Sequence, residues 1–71
     1  MFIIASRNLH KDVNFALEFY GKENTQEDIQ NKTHWMTFDI VNAMSFTTEV
    51  EALRFKVDNL NHNYVVMQVE G

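Results

Sequence analysis

Three histidines, two serines and a few paired carboxylates are the side chains of this sequence with the means to do chemistry. His10 shares a turn with Asp12, while His34 and His62 stand at opposite ends of the second half. A histidine metal centre needs ligands at i, i+4 on a helix or in short clusters, and no pair here has that spacing. The chain has no cysteine, so neither a disulfide framework nor a thiolate zinc site can form. Ser6 and Ser45 lack the glycine-built elbow that presents a nucleophile. With two glycines in the whole chain, no phosphate-cradling loop can be assembled. Glu27 and Asp28, and Glu49 with Glu51, are paired acids, but solvation and the positive end of a helix account for such pairs. The residues point to a protein that is not an enzyme and that uses no metal or other cofactor.

Charge narrows the partners. Ten acidic residues against six basic give a net charge of −4. Sequence-independent binding to nucleic acid needs clustered Lys and Arg to displace phosphate counterions. Here Arg7, Lys11, Lys22, Lys32, Arg54 and Lys56 are scattered, most with acids beside them, so nucleic acid is disfavoured. The aromatic residues keep an alternative open. If Tyr20, Trp35 and Tyr64 faced outward together from a sheet, they could stack single-stranded bases, making this a small RNA- or DNA-binding protein. The same residues could instead form a protein hot spot.

Those side chains must be positioned by few elements, because 71 residues make a single domain, spanning 1–71, near the lower limit for folding without disulfides or metals. An apolar fraction of 45% and the absence of proline argue for an ordered domain. The run "MFIIA" is too short to span a bilayer and lacks the basic flank of a signal peptide; a cytoplasmic protein with no membrane partner is expected.

"MFIIAS" reads as a strand apolar on both faces, hence central in a sheet. "VNFALEFY" alternates Val13, Phe15, Leu17 and Phe19 with more polar positions, as a half-buried strand does. From Gly21 to Thr33 the chain is polar with Ile29 the exception, and it is expected to be a flexible connection, although Thr25 and Asp28 could cap one helical turn. A strand is expected around Trp35 to Asp39, then a turn at "VNA" and a short extended piece from Met44 to Phe46. Thr48 followed by Glu51 forms a capping box that starts a helix, running to about Asn59. "YVVMQVE" closes the chain as a strand. The expected fold class is α+β, an antiparallel sheet of three or four strands with one α-helix packed across it.

From Trp35 onward the pattern resembles small accessory proteins encoded by tailed bacteriophages. The residues that carry it are Trp35, Asp39-Ile40, Ala43, Phe46 to Thr48, Glu51-Ala52, Phe55 and the closing "YVVMQVE", with "MFIIAS" as the opening strand. About half of the chain is covered, and the segment from Gly21 to Thr33 is outside the pattern. The resemblance implies a sheet covered by one helix and a role in binding and altering a host protein, as an inhibitor in host takeover or counter-defence.

The helix supplies a surface for this. At about 100° per residue, Val50, Leu53, Val57 and Leu60 form one stripe, and Ala52 and Phe55 lie roughly opposite. The stripe would put Leu53 and Val57 on the sheet, whereas the resemblance would put Ala52 and Phe55 there. A single sheet covers one side only, so the other is expected to meet a host protein or a second copy in a homodimer. The expected partner-binding residues are Ala52 and Phe55 on the helix, Trp35 on the sheet, and Glu23, Glu27 and Asp28, whose charge would steer the protein toward a basic target such as a nucleic-acid-binding protein.

Overall fold

The computed structural model describes residues 1–6 and 18–70. The first strand, β1 (Phe2–Ser6), is followed by β2 (Phe19–Tyr20), a short helix α1 (Gln26–Gln30), β3 (Met36–Thr37), a 3-10 turn at Ile40–Asn42, the main helix α2 (Glu49–Asn59) and β4 (Tyr64–Gln68). The strands form one antiparallel sheet in the order β3-β2-β1-β4. This is the expected α+β architecture, with β1 central. Val13 to Leu17, His10 and Asp12 lie outside the described residues.

The apolar character of "MFIIAS" has a direct cause in that position. Ile3 and Ala5 point to one face and Ile4 to the other, and all are buried. Ile3, Ala5, Phe19 and Ala43 cluster with Val65, Met67 and Val69. Tyr20 is on the opposite face, where its ring meets Phe55 of α2 edge-on at 5.4 Å. Helix α2 lies chiefly over β4 and β1. Extended structure near Trp35 is shorter than its aromatic content suggests, only Met36–Thr37. Ala43 and Phe46 make isolated bridges to Gly21 and Phe2 rather than a continuous strand.

α2 starts where the capping signal places it. The Thr48 hydroxyl accepts from the Glu51 N–H at 3.2 Å, a cap worth about 1 kcal/mol. At the other end Leu60 N–H donates to Lys56 O, and the Asn59 amide donates to Phe55 O. The side that packs, however, is the reverse of the partner surface expected above. Ala52 is fully buried, while Val50, Leu53 and Val57 are 67%, 41% and 75% exposed. Phe55 packs against Tyr20 and Phe46. A small residue at the closest approach lets the helix settle onto the sheet, and Phe55 then fills the space toward β2. Ala52 and Phe55 are core residues, and the stripe is the free side.

The segment from Gly21 to Thr33, expected as a flexible connection, holds the helical turn that Thr25 and Asp28 were placed to cap. It is built by caps and needs little apolar surface. At the start of α1, Thr25 Oγ1 accepts from Asp28 N–H and Asp28 Oδ2 accepts from Thr25 N–H, two orphan amides satisfied reciprocally. At the end, Thr33 N–H donates to Asp28 O and Lys32 N–H to Ile29 O, with Lys32 in the left-handed region at φ 58°. Caps at both ends make a five-residue helix tenable in a tertiary context. Lysine bears a steric penalty at that φ that glycine does not. Lys32→Gly should therefore stabilise by about 1 kcal/mol, raising the melting temperature by about 4–8 °C; an unchanged or lower value would argue against this turn.

Candidate partner-binding surface

A tight turn at Gly21 to Asn24 carries the site. Gly21 N–H donates to Trp35 O at 2.9 Å and Lys22 N–H to Asn42 O at 2.9 Å, so the turn sits between the start of β3 and the 3-10 turn. A Cβ on Gly21 would stand 3.0 Å from Trp35 O. Glycine is needed here for that close approach.

Asn24 fixes the arrangement. It is a buried polar residue, and its side chain works like an extra rung of the ladder. Its Nδ2 donates to Gly21 O at 2.7 Å and to Trp35 O at 3.0 Å, and its Oδ1 accepts from Trp35 N–H at 2.8 Å. Among the described residues no buried side-chain polar atom lacks a partner. The Trp35 backbone is thus tied down while its side chain is 54% exposed. Asp28 belongs to the same group. The Thr25 backbone N–H, and then its hydroxyl, hold the Asp28 carboxyl below the usual carboxylate range, and the Trp35 side chain acts in the same direction.

On the other flank of the turn, Asp39 caps the 3-10 turn by accepting from Val41 N–H at 3.0 Å, while its own N–H donates to Thr37 Oγ1 at 3.1 Å. The cap forces Ile40 and Val41 outward. Both are exposed, as is Phe38. Ile40 and Val41 line a shallow hollow with Met1, Lys22, Met44 and Val69. Sequence reasoning missed Ile40 and Val41 as surface residues. The available signal was Asp39, whose capping geometry leaves a three-residue turn no face to bury.

The structure therefore brings together Trp35, Glu23, Glu27 and Asp28 around one turn, with Glu23 and Glu27 exposed and Asp28 occupied as a cap. It separates them from Ala52 and Phe55, which lie in the core. It also leaves the three aromatics of the base-stacking arrangement without a shared exposed face. Tyr20 is fully buried under α2, and Tyr64 is half-buried with its ring edge-on to His34.

The histidines find structural explanations where they are described. The His34 Nδ1 lies 3.1 Å from the Tyr20 hydroxyl, with the rings tilted at 54°. Burial, with Lys32 adding to it, holds the His34 imidazole below its ordinary value, which favours a neutral ring accepting a hydrogen bond from the Tyr20 hydroxyl. His62 is exposed in the turn before β4. Among the described residues no three His, Asp or Glu side chains gather into a metal-binding group, and no helix is long and apolar enough to cross a membrane.

No protein-family model, no curated protein and no solved structure matches this chain.

Proposed function

We propose that the chain is a small non-enzymatic protein-binding module, of the kind encoded by tailed bacteriophages, that works as a homodimer and inhibits or redirects a host protein by occupying its surface. The observation that carries this reading is Trp35, exposed on a backbone that Asn24 holds rigid. A large aromatic group on a fixed support loses little entropy on binding, and such residues dominate interface energetics. Glu23 and Glu27 sit at the edge of the same turn, and their charge, with the net −4 of the chain, favours encounter with a basic surface such as that of a nucleic-acid-binding protein. The alternative, base stacking on an aromatic sheet face, is less well supported because Tyr20 is buried and the exposed indole of Trp35 has the Asp28 carboxylate beside it.

The test is capture from a bacterial lysate with the immobilised chain, followed by titration of the captured protein. Trp35→Ala should weaken that binding by about 30-fold or more without altering the circular dichroism spectrum. Glu23→Gln with Glu27→Gln should slow association at low salt. Capture that ignores Trp35 would sink the assignment of this surface. Retention that disappears with nuclease, or direct nucleic-acid binding that falls steeply with salt, would favour the alternative.

A further inference from the structure

Among the described residues nothing covers the outer side of α2 or the outer edge of β4, the two belong to one surface, and we infer that its occupant is a second copy of this chain, joined by β4 pairing antiparallel to itself about a two-fold axis at Val66. This rests on the reading of the chain as a homodimer and names the surface that makes it one.

The edge comes first. Phe2 exchanges both backbone hydrogen bonds with Phe46, Ser6 N–H donates to Glu18 O, and Val69 N–H donates to Met1 O. Alternation along an antiparallel ladder then directs the backbone groups of Ile3 and Ala5 toward Met67 and Val65, their register partners. Those of Val66 and Gln68 point away from the sheet, as does the Tyr64 carbonyl. Tyr64 N–H is already used within the turn, donating to Asn61 O. Among the described residues no strand lies beyond β4. "YVVMQ" carries no lysine, proline or other charge of the kind that protects an open edge. A two-fold axis at Val66 lets the two copies of that residue exchange their N–H and C=O groups. It also brings each Gln68 N–H to a Tyr64 carbonyl.

The helix agrees independently. Phe55 points toward β2, since it packs on Tyr20. Leu53 and Val57, at roughly 160–200° from it around the helix, therefore flank the β4 side. Val50, Leu53 and Val57 line a shallow groove on the outer side of α2, with Arg54 and Asp58 on its far rim. Strands lie about 4.8 Å apart, so helices seated between β1 and β4 in each copy would run about 10 Å from one another. That is the upper end of the 8–10 Å spacing of packed helices. Two steps of sheet twist, roughly −20 to −25° each, would cross them near the −50° of the commonest helix packing class.

The two registers also coincide. Ile4 is paired with Val66 and Ala5 with Phe19, which places Tyr20, and with it Phe55, level with Val66. An axis at that level sets Leu53 of one copy beside Val57 of the other. Leu53 and Val57 are covered.

The test uses the full chain by sedimentation equilibrium. The wild type should be dimeric, and Leu53→Glu with Val57→Glu, both exposed in the single chain, should weaken the dimer by about 100-fold or more with an unchanged circular dichroism spectrum. Because the chain has no cysteine, Leu53→Cys with Val57→Cys gives a clean positional readout and should crosslink into a covalent dimer on mild oxidation. A dimer that survives the glutamates and does not crosslink would overturn this interface and leave self-association standing. A wild-type monomer at several hundred micromolar would overturn both.

Discussion

Phe55→Glu is expected to leave the protein unfolded. Truncating a phenylalanine packed between two aromatic rings costs up to roughly 3–5 kcal/mol, and a carboxylate facing Tyr20 and Phe46 adds the cost of desolvating a charge. A domain of this length holds roughly 4–10 kcal/mol in total, so the substitution consumes most or all of it. Val57→Glu, on the exposed side of the same helix, should change single-chain stability by no more than about 0.5 kcal/mol. Thermal melts of the two variants at low concentration decide the matter. If Val57→Glu melts early and Phe55→Glu does not, α2 is turned about its axis relative to the description above.

That contrast also marks where the sequence stops being informative. The existence of α2 and its first residue were legible, because a Thr48 to Glu51 cap is local chemistry. So was the central place of β1, since only a strand covered on both faces is apolar at every position. Which side of α2 meets the sheet was not legible in the hydrophobic spacing, although the resemblance placed Ala52 and Phe55 there. Val50, Leu53 and Val57 outnumber Ala52 and Phe55, and hydrophobic periodicity counts residues without knowing that a small one sets the closest approach. The segment from Gly21 to Thr33 misled for a related reason. Its order comes from Thr25, Asp28 and the left-handed Lys32, all polar, and a reading that looks for apolar contacts sees a loose connection. Trp35 and the acids near it were found as separate candidates. Asn24, the residue that unites them, was passed over because an asparagine in a polar stretch looks like solvent.

Asn24→Ala should be the most damaging substitution outside the apolar core. It removes the hydrogen bonds to Gly21 O and Trp35 O and strands the Trp35 N–H. A group left unpaired costs about 1–3 kcal/mol, and the two other lost bonds add roughly 0.5–1.5 kcal/mol each, so a loss of about 2–6 kcal/mol is expected. Trp35 is the sole tryptophan, which makes its fluorescence a direct reporter. The anisotropy should fall as the indole gains freedom, and target binding should fall with it even where the fold survives. A variant with wild-type anisotropy and a melting temperature within a degree of the parent would show that the backbone of Trp35 is held by something else.

The two borders of the sheet are unequal, and this limits what the protein can build. β3 offers only Met36–Thr37 before Asp39 draws the chain into the 3-10 turn, so that side is too short to recruit another strand. β4 presents five residues. A subunit with two good borders can add copies without limit and becomes a fibre; one with a single good border has a valency of one. With the pairing proposed above, growth through the sheet would end at a pair, and the surface around Trp35 would remain open on each half, giving two equivalent grips on a target.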